Sequence, residues 1–86
     1  MQVSAQISVY PLQQLELSPA VEVVWQAMQS HKLDYDPGAM STLVHGDTER
    51  LFAALKDALE SAAQLGPIVM VITLSNACPA LPLEES

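Results

Sequence analysis

The chain has 86 residues, half of them hydrophobic, with ten Asp and Glu against three Lys and Arg and a net charge of −7, which bounds it to one small acidic domain. That balance excludes a phosphate-reading nucleic-acid face, which needs clustered Lys and Arg, and the single cysteine excludes an internal disulfide framework. Only 15% of the residues are charged, too few to cover so small a domain, so part of the apolar surface is expected to be buried against a second copy.

"MQVSAQISVY" opens with neither a basic start nor a continuous apolar stretch, so no signal peptide is read there. It alternates instead: Val3, Ala5, Ile7 and Val9 fall on one face, Gln6, Ser8 and Tyr10 on the other. This is a strand, ended by Pro11. Ser18-Pro19 reads as an N-cap followed by a first-turn proline, and Val21, Val24, Trp25 and Met28 extend a helix to about His31. Trp25 lies in that apolar stripe and is taken as a core anchor rather than a stacking platform for a ring. Leu33 to Asp36 form a short strand, "DPGA" a turn, and "AMSTLVHG" the next strand. Asp47 caps a second helix whose stripe is Leu51, Leu55, Leu59 and Ala62, flanked by Phe52 and Ala58, with Glu49, Lys56, Asp57 and Glu60 facing water. Gly66-Pro67 ends it, and Ile68 to Ser75 is the last strand. The apolar run "IVMVI" is about a quarter of the roughly 20 residues that a membrane helix needs, so a soluble cytoplasmic protein with no membrane partner is expected. The domain is assigned to residues 1–79, and residues 80–86 to a mobile tail.

The order β-α-β-β-α-β implies an α+β, ferredoxin-like fold: a four-stranded antiparallel sheet in order 4-1-3-2 with both helices on one face. The other face is left uncovered. Gln6, Ser8 and Tyr10, with Val69, Val71, Thr73 and Ser75, make it too apolar to stay bare and too polar for an ordinary core. Sheet-on-sheet packing between subunits suits it.

No Gly-rich phosphate loop, metal-spaced Cys/His set or nucleophile elbow is present, so no enzyme activity, cofactor or metal is assigned. His31 falls at a helix C-terminus as a structural residue, and His45 ends a strand as a surface or interface residue. Cys78 has no visible base or cation to activate it and reads as a small, partly buried thiol in a turn. Asp34 and Asp36 share one side of an edge strand and discourage further pairing. What remains is a set of hydroxyls and an amide: Ser8, Tyr10, Ser41, Thr42, Thr73, Ser75 and Asn76. On neighbouring strands these groups can offer donors and acceptors to a flat heterocycle, or can be ordinary sheet polarity.

"SAQISVYPL", "GAMSTLVHGD" and "IVMVITLSNACP", in that order around two helices, resemble the YkoF-like thiamine/hydroxymethylpyrimidine-binding family over residues 3 to 79. Most diagnostic are "YP", "MST" followed by "GD", and "CP". The resemblance implies non-catalytic binding of thiamine or its hydroxymethylpyrimidine moiety on a ferredoxin-like scaffold. The family's better-understood member carries two such units in one chain. A single unit resembles the branch that assembles through sheet faces as homo-oligomers, commonly homotetramers. The motif positions carried over as ligand-binding are Ser8, Tyr10, Ser41, Thr42, Ser75 and Cys78, and Asn76 is added for its chemistry. A hydroxyl kept for a ligand contributes little to the empty fold, so Thr42→Val is expected to weaken binding more than stability. The alternative is a structural or regulatory oligomer without a vitamin ligand, whose polar groups satisfy one another across the sheets.

Overall fold

Period-two alternation buries Val3, Ala5, Ile7 and Val9 on one side of the first strand, β1 (Gln2–Pro11). The structure is a computed structural model, and it describes residues 1–13, 16–38 and 40–77. The remaining elements are α1 (Ser18–Ser30), β2 (Asp34–Pro37), β3 (Thr42–Asp47), α2 (Thr48–Ala63) and β4 (Ile68–Ser75). They form one antiparallel sheet in the order β2-β3-β1-β4, the expected α+β ferredoxin-like arrangement. Cys78 and residues 80–86 lie outside the described residues.

Helix α1 buries Ala20, Val24, Ala27 and Met28, spaced so as to make one continuous stripe. Ser18 does not cap it. The cap position falls on Leu17, no side chain closes the first turn, and Pro19 sets the start with its fixed φ and missing N–H. Its far end closes through Lys32, at a left-handed φ of 58°, with Leu33 N donating back to Met28 O at 3.0 Å.

Asp47 caps α2 as expected, its Oδ2 accepting from Glu49 N at 3.1 Å and Arg50 N at 3.4 Å. The buried stripe of α2 differs from the expected one. It runs Leu51, Ala54, Leu55, Ala58 and Ala62, while Leu59 and Phe52 are about half exposed. Alanines at 54, 58 and 62 let this helix pack closely, and the bulkier Leu59 is turned outward.

Facing residues in an antiparallel ladder share a side of the sheet. The register pairs Ala5, Ile7 and Val9 with Leu74, Ile72 and Met70, and Ala5 and Ile7 also with Val44 and Thr42, on the helix side. Gln6, Ser8 and Tyr10 pair with Thr73, Val71 and Val69 on the open side. No helix among the described residues is long and apolar enough to cross a membrane.

Candidate functional site

The site follows from where the strands stop. The β1–β3 register ends at Ile7 opposite Thr42, whereas β1 continues against β4 to Pro11 opposite Ile68. Residues 8–10 therefore have a strand neighbour on one side and, among the described residues, none on the other. The N-terminal half of α1 lies beside this notch, and the β2–β3 connection closes it. Gly38 N donates to Ser41 O at 2.9 Å, so tightly that a Cβ at Gly38 would lie 2.8 Å from the same oxygen. The result is a cleft of about 320 Å³. Consecutive residues Ile7, Ser8, Val9 and Tyr10 all line it, although they alternate between the two sides of the sheet, because the sheet is open at that edge.

Ile7, Val9, Leu17, Val21 and Val24 give the cleft apolar walls. Its polar groups are Ser8, Tyr10, Ser18, Ser41, Thr42, Glu22 and the Trp25 indole. Trp25 Nε1 donates to Thr42 Oγ1 at 3.0 Å, and Thr42 is buried. Gln6 Nε2 donates to Ser41 Oγ at 3.1 Å, and Ser8 Oγ donates to Met40 O at 3.3 Å. These bonds hold three of the expected hydroxyls at one edge of the cleft. They also occupy part of their bonding capacity, so a ligand meets hydroxyls of fixed orientation.

Four of the sequence-predicted positions, Ser8, Tyr10, Ser41 and Thr42, are thus brought together. Ser75 is not with them. It pairs with Ser4, six residues down β1 from Tyr10 and about 20 Å away at strand rise. Its Oγ accepts from Ala77 N at 2.9 Å, and the exposed Asn76 lies between them. Cys78 lies outside the described residues. Sequence reasoning missed Trp25 and Glu22. The indole reads as core because it shares a stripe with Val21 and Met28, yet it is only partly buried and lines the cleft. A polar N–H at one rim of an otherwise apolar stripe was the available signal.

Neither histidine joins the cleft. His31 Nε2 lies 2.6 Å from Asp57 Oδ2 at the far end of α1, and His45 Nδ1 lies 3.4 Å from Ser4 Oγ. No cluster of three or more His, Cys, Asp or Glu able to hold a metal occurs among the described residues. The cleft supplies neutral donors and acceptors, an aromatic surface and one carboxylate. That suits reversible binding of a small heterocycle.

The thiamine-binding protein family matches residues 5–75. No curated protein matches the sequence. Among solved structures, a Streptococcus pneumoniae protein superposes with a TM-score of 0.80 at 24% identity, covering 99% of this chain and 96% of that one. A Methanocaldococcus jannascii protein gives 0.80 at 22% identity, covering 87% and 79%. A Thermotoga maritima protein assigned provisionally to thiamine biosynthesis or salvage gives 0.75 at 19% identity, covering 87% and 83%. At these identities the superpositions establish the shared fold.

Proposed function

This chain belongs to the thiamine-binding protein family, and we propose that it is a non-catalytic binding protein for thiamine or its hydroxymethylpyrimidine moiety, acting in the cytoplasm as a homo-oligomer. The observation that carries this reading is the convergence of Ser8, Tyr10, Ser41 and Thr42 with Trp25 around one cleft. A pyrimidine ring presents both donors and acceptors at its edge and flat apolar faces, and hydroxyls beside valine and indole surfaces complement both features. A volume of about 320 Å³ is at the small end of ligand sites, matched to a compact vitamin. Ser75 and Asn76, at the opposite end of the sheet, reach such a ligand only from a second copy. Cys78 stays a candidate through its place in the "CP" motif.

A second reading, a structural or regulatory oligomer with no vitamin ligand, draws on the same hydrogen bonds. Ser41 and Thr42 already accept from Gln6 and Trp25 inside the chain. Calorimetric titration with thiamine and with hydroxymethylpyrimidine separates the two. Saturable one-to-one binding of either compound supports the first, and silence at millimolar concentration of both leaves only the second.

A further inference from the structure

The charge that lines the cleft is of one sign. Glu22 is the sole charged side chain among the described lining residues. The three Lys and Arg side chains are elsewhere. Lys32 follows the far end of α1, about 20 Å along the helix axis from Ser18. Arg50 is held at that same end, its Nη1 donating to Lys32 O at 3.0 Å. Lys56 is paired with Glu60 on α2 at 3.3 Å. No Lys or Arg is therefore in place to meet a phosphate, a role such side chains commonly fill.

One feature opposes this pattern. The N-terminus of α1 opens on the cleft through Leu17 and Ser18, and a helix N-terminus favours anions with the equivalent of about half a positive charge. Pro19 removes one of its free N–H donors. Glu22, about one turn further along the same helix, brings a full negative charge, and the chain as a whole carries −7. The local sum is negative, and it attracts cations and repels anions.

We propose that the cleft selects the unphosphorylated, cationic form of a heteroaromatic ligand and rejects its phosphate esters, with Glu22 as the selecting charge beside the Trp25 ring. The proposal rests on the small-molecule reading above and adds its specificity. A thiazolium-type cation gains from the carboxylate and from the aromatic surface, whereas a diphosphate would bring further negative charge against Glu22 with no counter-cation in reach.

The test is calorimetric titration of the full chain with thiamine and with thiamine diphosphate in metal-free buffer, at about 0.15 M salt and again at about 0.5 M, where the field of distant charges is screened. Diphosphate is expected to bind at least about tenfold more weakly at the lower salt, and the gap should narrow but persist at the higher. Glu22→Gln, at an exposed position, should weaken thiamine binding about two- to fivefold and strengthen diphosphate binding, shrinking the ratio. Equal or tighter binding of the diphosphate overturns the selectivity, assigns the α1 N-terminus to phosphate, and leaves the vitamin-binding reading standing. An unchanged ratio in Glu22→Gln overturns the role of Glu22. Absence of binding by both compounds overturns the vitamin-binding reading and takes this inference with it.

Discussion

The indole Nε1 of Trp25 donates to Thr42 Oγ1 at 3.0 Å, joining the middle of α1 to the first residue of β3 beside the cleft. The bond fixes the indole against the strand at the point where the sheet opens. It also changes what a substitution at Thr42 tests. The hydroxyl is part of the empty fold, so removing it strands a part-buried N–H.

Thr42→Val is therefore expected to cost about 1–3 kcal/mol of stability as well as binding, because the Trp25 N–H loses its acceptor. Ser41→Ala is the cleaner probe. Among the described residues its hydroxyl accepts an exposed contact from Gln6, so stability should move by less than about 0.5 kcal/mol while thiamine binding weakens about five- to a hundredfold. Urea denaturation of both variants, with thermal shifts measured with and without thiamine, checks the contrast. Equal stability losses in the two variants would contradict it.

Gly46→Ala should destabilise the domain by about 1–3 kcal/mol through overpacking. A Cβ at this position would sit 2.4 Å from Leu33 Cδ2, and Leu33 is itself buried and held by the core. The measurement is the denaturant midpoint. A change under about 0.5 kcal/mol would mean that Leu33 repacks freely.

Asp47→Ala should cost about 0.5–2 kcal/mol, since the carboxylate caps α2 by accepting from the N–H groups of Glu49 and Arg50. Asp47→Asn should recover most of that loss, because the amide oxygen accepts the same bonds. If the asparagine variant is as unstable as the alanine one, charge rather than capping carries the effect; the α-amino group of Met1 lies 3.7 Å from the Asp47 carboxylate.

Most of the fold was legible because its signals are local. Alternation in β1 and the cap at Asp47 each depend on a few neighbouring residues, and the strand order follows from two crossovers around a hairpin. The α2 stripe departs from the expected one at Leu59, because counting large residues ignores the alanines that set the closest approach. The cleft was not legible in this way. It exists because β3 begins at Thr42, upstream of which the apolar pattern implies a longer strand, leaving residues 8–10 of β1 without a strand neighbour on that side among the described residues. An offset between strand ends is a tertiary property, and no periodicity encodes it. For the same reason Trp25 reads as core: its stripe is real, but the strand it faces reaches only to Thr42, and the indole is left partly exposed at that end.

The open face of the sheet carries exposed apolar side chains over its β1–β4 half. Tyr10, Val69 and Val71 are 47%, 45% and 50% exposed there, and the register sets them side by side on β1 and β4. Asp34 and Asp36 occupy the same side at the β2 edge, whereas β4 carries no charged residue along its length. Two acidic chains that meet face to face approach with least repulsion over the β1–β4 half, where apolar area is gained. The wild-type mass in solution is therefore expected to be a multiple of 9.3 kDa above the single chain, and the family resemblance alone makes the tetramer the expected number. Val71→Lys should lower that mass, because each copy would have to bury an ammonium with no assigned partner. The side chain is half exposed in the single chain, so circular dichroism of the variant should keep the native shape. Light scattering at micromolar concentration decides the matter. A wild-type mass near 9.3 kDa removes the assembly altogether, and an undiminished oligomer in Val71→Lys places the contact on some other surface.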